Sequence, residues 1–140
     1  MAEPIWISTE LANAIHERQL AEHGGPEGVR DVGMLESALS RAQQQFAYSQ
    51  PAPDIPALAA AYAYGIARNH PFVDGNKRTA AVLCEVFLEL NGFRLFAEDA
   101  DLYPVFMALA AGEIEENELA DWLRSASRPG RVSEDQASYA

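Results

Sequence analysis

The sequence predicts an all-α, mainly helical fold, with about six helices around a central buried helix and at most short strands. Three observations carry this. Apolar residues recur at helical spacing in successive segments. Ser, Thr or Asp stands ahead of those segments and Gly or Pro punctuates their ends. One run, TAAVLCEVFLEL at residues 79–90, is broken only by Glu85 and Glu89, four apart, which leaves a single thin polar stripe on an otherwise buried helix.

The elements follow in order. PIWI, residues 4–7, forms a short strand or an extended lead-in. Ser8 or Thr9 caps a first helix with Glu10 in its first turn; Leu11, Ile15 and Leu20 make a loose apolar face ending near His23. HGGPEG at residues 23–28 must be a loop or tight turn. Asp31 caps a second helix, with Met34, Leu35, Ala38, Leu39 and Ala42 on one face. SQPAPDIP breaks the chain at residues 49–56. Asp54 then caps a third helix with Pro56 in its first turn, where a missing N–H costs little, running to about Asn69. Pro71 disfavours the α conformation at His70 and ends it.

Asp74 or Gly75 starts the fourth helix, expected to be the central one, and Asn91-Gly92 stops it. FRLF is a possible short strand. Asp101 is expected to start a fifth helix (Leu102, Val105, Phe106, Leu109), and a sixth turns Ile114, Leu119, Trp122 and Leu123 inward. Residues 1–125 are expected to form a single domain. Residues 126–140 have little to bury and are expected to be a disordered tail.

Composition bounds the function. The chain has 140 residues, 49% of them hydrophobic, enough for a sizeable core. Its formal net charge is -11, so phosphate backbones and anionic membranes repel it away from any local basic patch. Arg68, Lys77 and Arg78 against Asp74 make residues 68–78 such a patch. The lone cysteine, Cys84, excludes an internal disulfide and a cysteine-based zinc cage, and its apolar surroundings suit a buried small hydrophobe. There is no signal-like N-terminus and no run long enough to span a membrane, so a cytoplasmic protein is the expectation.

HPFVDGNKRTA, residues 70–80, carries the chemistry. It holds the chain's only lysine, Lys77. The helix beginning at DGNKR exposes unpaired N–H groups and a positive dipole end, an anion site. Gly75 clears space for close approach to the backbone, and Asn76 adds an amide donor. Lys77 and Arg78 put two cations where the dipole disfavours them, at up to about 1 kcal/mol each, a conflict that a bound polyphosphate would resolve. Asp74 offers a hard oxygen ligand for Mg²⁺, and His70 a base with an ordinary pKa of about 6.5. Taken singly, each feature has a plainer explanation: a turn at Gly75 and Asn76, solvated cations, a helix-end histidine bonded to backbone. Their concurrence in eleven residues favours the anion site. No GxxxxGK phosphate loop, GxGxxG or zinc constellation is present; His16 and His23 lack an evident third metal ligand.

HPFVDGNKRTA closely resembles the core motif of Fic-fold proteins, HPF-x-D/E-GN-x-R. The GNKRTA form, with lysine where adenylyl-transferring Fic enzymes usually have glycine, looks like the Doc (death-on-curing) branch, the toxins of toxin–antitoxin pairs. The similarity extends over roughly residues 5–125, including GGPEGVRDVGMLESALSRAQQQFAY, AAAYAYGIARNHPF and FLELNGFRLFAEDADLYPVFMALAAGEI. It implies a small helical fold with the motif between two central helices, and ATP with Mg²⁺. By position, His70 would activate a target hydroxyl and Asp74 would hold Mg²⁺. Gly75, Asn76, Lys77 and Arg78 would cradle phosphates, with Arg68 a helper, and the loop 23–33 would engage the target.

In that branch the lysine is associated with ATP bound the other way round and transfer of its γ-phosphate. The known target is elongation factor Tu, whose phosphorylation stops translation. The alternatives are AMP transfer to a protein hydroxyl, which the full HPF and DGN of this chain resemble, and a non-catalytic nucleotide- or antitoxin-binding module. Self-restraining Fic enzymes carry S/T-x-x-x-E-G/N. The candidates here, Glu27-Gly28 and Glu116-Asn117, have His23 and Gly112 at the position four earlier, so neither fits. A separate cognate antitoxin is therefore the expected regulator, with no direct nucleic-acid or membrane partner.

Overall fold

The computed structural model describes residues 3–130. In chain order they form α1 (Thr9–His23), α2 (Val32–Tyr48), α3 (Ile55–Asn69), α4 (Asn76–Leu90), β1 (Phe93–Leu95), α5 (Asp99–Ala111), α6 (Glu116–Ala126) and β2 (Ser127–Pro129). The mainly helical fold expected from the sequence is the fold observed.

The caps act as the sequence suggests. Ser8, Asp31 and Asp54 each accept a hydrogen bond from a backbone N–H in the first turn of α1, α2 and α3. At α6, Glu115 and Glu118 form a reciprocal capping box. PIWI is an extended lead-in, without strand pairing. Asn91, just past α4, donates to the Ile5 carbonyl and accepts from its N–H, and Ile7 N–H donates to the Tyr62 hydroxyl. Trp6 thereby stacks on Phe87 and meets Phe46 edge-on.

The most enclosed helix is α3 rather than α4. Ten of its fifteen residues are buried, from Pro56 to Ala67, and it packs against α2, α4, α5 and α6. Alanine explains why. Ala59, Ala60, Ala61, Ala63 and Ala67 are small enough to be enclosed on all sides, but they carry too weak a periodic signal to announce it. At Gly65 a methyl group would lie 2.8 Å from the Ala38 Cβ, so α2 and α3 can approach this closely only through glycine. Helix α4 packs beside α3 and leaves Lys77, Arg78, Glu89 and Leu90 exposed.

Two boundaries differ from expectation. Helix α5 begins at Asp99, with Glu98 as N-cap, two residues before Asp101. The expected tail does not begin at 126: Ala126 ends α6, and Ser127–Pro129 pairs antiparallel with Phe93–Leu95, Arg94 facing Arg128. Gly130 N–H donates to the Gly92 carbonyl and Phe96 N–H to that of Ala126, so tertiary bonds order a segment with no strand pattern of its own. The rest of the expected tail, 131–140, lies outside the described residues. No helix among those described is long and apolar enough to cross a membrane.

Candidate active site

The motif fills the turn between α3 and α4, and four contacts from outside hold it. His70 ends α3 in the left-handed conformation, φ 50° and ψ 58°, at a cost of about 1 kcal/mol for a non-glycine residue. Arg30 offsets it: its Nε donates to the His70 carbonyl at 2.8 Å and its Nη2 to the Asn69 carbonyl at 2.8 Å. A guanidinium on the exposed carbonyls of a helix C-terminus is favourable by charge as well as by hydrogen bonding. The loop before α2 then pairs with the motif. Arg30 and Asp31 N–H donate to the Pro71 carbonyl, and Val73 N–H donates to that of Gly28.

Inside the turn, Asn76 closes a ring with Phe72. Its Oδ1 accepts from Phe72 N–H and its Nδ2 donates to the Phe72 carbonyl, both at 3.0 Å. The side chain is 8% exposed. The Asn76 amide expected to meet a phosphate is thus engaged with the backbone of its own loop. Gly75, left-handed at φ 77°, is the N-cap of α4 and offers no capping side chain. The N–H groups of Gly75, Asn76, Lys77 and Arg78 have no acceptor among the described residues, whereas in α1, α2, α3 and α6 one first-turn N–H meets a capping side chain; α5 likewise has no side-chain cap.

Two further contacts come from α1 and the loop after it. The His16 imidazole, 3% exposed, stacks on Phe72 at 3.8 Å between ring centres, with 10° between planes. Its Nε2 donates to the Asp74 carbonyl at 2.7 Å; the carbonyl only accepts, so Nε2 carries the proton. At Gly25 a methyl group would lie 2.6 Å from Asp74 Oδ2, so the glycine loop lies directly against that carboxylate.

His70, Asp74, Gly75, Asn76, Lys77 and Arg78 all border one cleft of about 510 Å³. Val73, Tyr103 and Met107 complete its lining. Arg68 does not join them. Its guanidinium lies 5.3 Å from the Tyr64 ring centre and beside Gly112, because it leaves α3 on the side facing α5 and α6. Sequence reasoning missed Tyr103 and Met107. Their spacing of four, just off the Leu102, Phe106 and Leu109 face of α5, was a signal that they share a stripe. It also missed His16, Gly25 and Arg30, whose roles depend on contacts far apart in sequence.

The cleft suits an anion carrying a hard cation. Asp74 is exposed, and its carboxylate has no hydrogen-bond partner among the described residues. A single exposed carboxylate suits Mg²⁺, which keeps waters and is held by one or two carboxylates together with substrate phosphates. Glu116, one of the two candidate restraining glutamates, is bound by Arg41 and by Gln45 Nε2 at 3.0 Å, away from the cleft. Cys84 is fully enclosed, and burial pushes its thiol pKa up, so it is no nucleophile.

A helical fold with an uncapped, cationic helix start beside a histidine and an exposed carboxylate marks a transferase of Fic type. The chain belongs to the Fic/DOC family, whose model matches residues 6–88, and to its Doc branch. It is 36% identical over 118 residues to "Protein kinase doc" of Escherichia phage P1, covering 84% of this chain and 92% of that protein. It is 43% identical over 75 residues to "Toxin Doc" of Mycolicibacterium smegmatis (strain ATCC 700084 / mc(2)155), covering 54% of this chain and 58% of that one.

Proposed function

We propose that this chain is the toxin of a toxin–antitoxin pair and transfers the γ-phosphate of ATP to a hydroxyl of a translation factor, elongation factor Tu by resemblance, blocking translation. The observation that carries the reading is the start of α4: Gly75, Asn76, Lys77 and Arg78, whose N–H groups have no acceptor among the described residues, border one cleft with His70 and Asp74. The kinase name of the phage relative and the toxin name of the mycobacterial one support it.

In this reading the N–H groups and the two cations bind the phosphate chain of ATP. Asp74 holds Mg²⁺, which when bound draws charge from the phosphate oxygens. His70 takes the proton from the target hydroxyl as that oxygen attacks the γ-phosphorus and the bond to ADP breaks. Asn76 serves by shaping the turn. Tyr103 and Met107 give the cleft an apolar wall. Lys77 fills space that glycine would leave open and adds a charge, which favours a different nucleotide pose from that of the adenylyl-transferring enzymes. A cognate antitoxin restrains the toxin in trans, a reading supported by the toxin name of the mycobacterial relative and by His23 and Gly112 standing where a restraining segment needs Ser or Thr.

A second reading, AMP transfer, uses the same residues; Pro71 and Gly75 favour it, as the full Fic form of the motif. In a third, the cleft binds nucleotide or antitoxin without catalysis.

Intact-protein mass spectrometry separates them. Elongation factor Tu is incubated with this protein and MgATP, beside a His70→Ala control. A gain of one phosphate, absent with the control, is expected. A gain of AMP overturns the role given to Lys77. If no target in whole lysate gains either group, and expression of His70→Ala is as toxic as wild type, catalysis is excluded.

A further inference from the structure

We propose that His16 is a positioning residue for the anion-binding turn, holding the Asp74–Gly75 peptide so that the Gly75 N–H faces the cleft. The proposal rests on the nucleotide reading above for its functional consequence, and on geometry alone for its structural one.

A buried histidine in a helix facing the core needs only packing to be explained, and the stack on Phe72 supplies that. The stack does not require Nε2–H. That donor is spent at 2.7 Å on one backbone carbonyl, 58 residues away, in the residue that carries the cleft's free carboxylate. The Asp74–Gly75 peptide is trans. In a trans peptide the carbonyl and the N–H point to opposite sides. Drawing the Asp74 carbonyl toward α1 therefore turns the Gly75 N–H away from α1, toward the lining of the cleft. The same bond sets the peptide plane at which α4 begins, and with it the directions of the Asn76, Lys77 and Arg78 N–H groups.

Nothing local does this. Gly75 has no side chain to lock its own left-handed conformation. The Asn76 ring with Phe72 fixes the other end of the turn and leaves the 74–75 peptide free. His16 is also close enough to fill the space behind Gly75: a methyl group there would sit 3.8 Å from the imidazole Nε2.

Two variants separate positioning from packing. His16→Phe keeps the ring stack and removes the donor. His16→Gln gives up the ring and restores an N–H near the reach of Nε2. Amide ¹H–¹⁵N spectra of the protein without ligand are expected to show the Gly75–Arg78 signals shifted or broadened in the Phe variant and near wild type in the Gln variant. Calorimetric titration with MgATP is expected to show binding about tenfold weaker for Phe, the worth of one buried hydrogen bond, and within about threefold for Gln.

Wild-type amide positions and wild-type affinity in the Phe variant would overturn the proposal. If wild type itself binds no MgATP, the nucleotide reading fails, while the amide spectra still decide the role of His16. If the Phe variant does not fold, ¹⁵N-histidine spectra of wild type decide it. A protected His16 Nε2–H that moves when magnesium and inorganic triphosphate saturate the cleft supports it. An unprotected or unmoved one overturns it.

Discussion

Arg30 Nε donates to the carbonyl of His70 across 2.8 Å, joining the loop before α2 to the end of α3, 40 residues apart. The bond holds the backbone of the proposed base in a conformation it would not otherwise choose. Arg30→Ala removes that bond and the one to Asn69. Transfer activity is expected to fall about tenfold or more, chiefly in kcat, since the base is misplaced while the anion site persists. Arg30→Lys recovers little, because one ammonium cannot meet both carbonyls in the same plane. Steady-state kinetics of the two variants check this.

Asn76 is expected to be worth more to stability than to direct binding. Asn76→Ala leaves the N–H and carbonyl of buried Phe72 without partners, at about 2–4 kcal/mol for the pair. Chemical denaturation should show that loss in the midpoint with an unchanged slope. An equal loss of phosphate affinity in a variant of unchanged stability would instead place the amide on the ligand.

Gly25→Ala tests the carboxylate at Asp74. The added methyl would meet Oδ2 at 2.6 Å, at a residue whose φ of +122° already excludes ordinary side chains. Asp74 must swing away or the loop must move. The magnesium concentration for half-maximal activity is expected to rise at least about threefold, with ATP binding in excess magnesium less affected. A magnesium titration of variant and wild type decides it.

Asp54 makes stability depend on pH. It caps α3 through Ala57 N–H and meets Arg124 Nε at 2.7 Å. The Arg124 guanidinium, hydrogen-bonded to it, holds its carboxyl below the ordinary 3.8, against partial burial that raises it. Because the folded value is the lower one, the contribution is complete above about 3.8 and is lost as pH falls through the folded value. Both side chains are nearly half exposed, which limits the ion pair to about 1 kcal/mol or less. Thermal melts from pH 5 to pH 2 should show wild type losing more stability than Asp54→Asn, which keeps a capping oxygen.

Local signals carried much of the architecture. Ser8, Asp31 and Asp54 mark helix starts because a cap bonds within its own first turn. The motif was legible for the same reason: His70, Asp74, Gly75, Lys77 and Arg78 are brought to one cleft by a single turn and the helix after it. Arg68 looked like part of it by proximity in sequence, but two residues along a helix rotate a side chain by roughly 200°, and it faces Tyr64 instead.

The sequence by itself determined the helices, most of their boundaries and the chemistry offered at the start of α4, since each depends on residues within a few positions of one another. Tertiary structure alone decided that alanine-rich α3 is the enclosed helix, that Ser127–Pro129 is a strand, and that Arg30, Gly25 and His16 hold the turn. Those depend on surfaces meeting across tens of residues. A hydrogen bond from an imidazole on α1 to a carbonyl before α4 leaves no periodicity or spacing in the chain that could announce it.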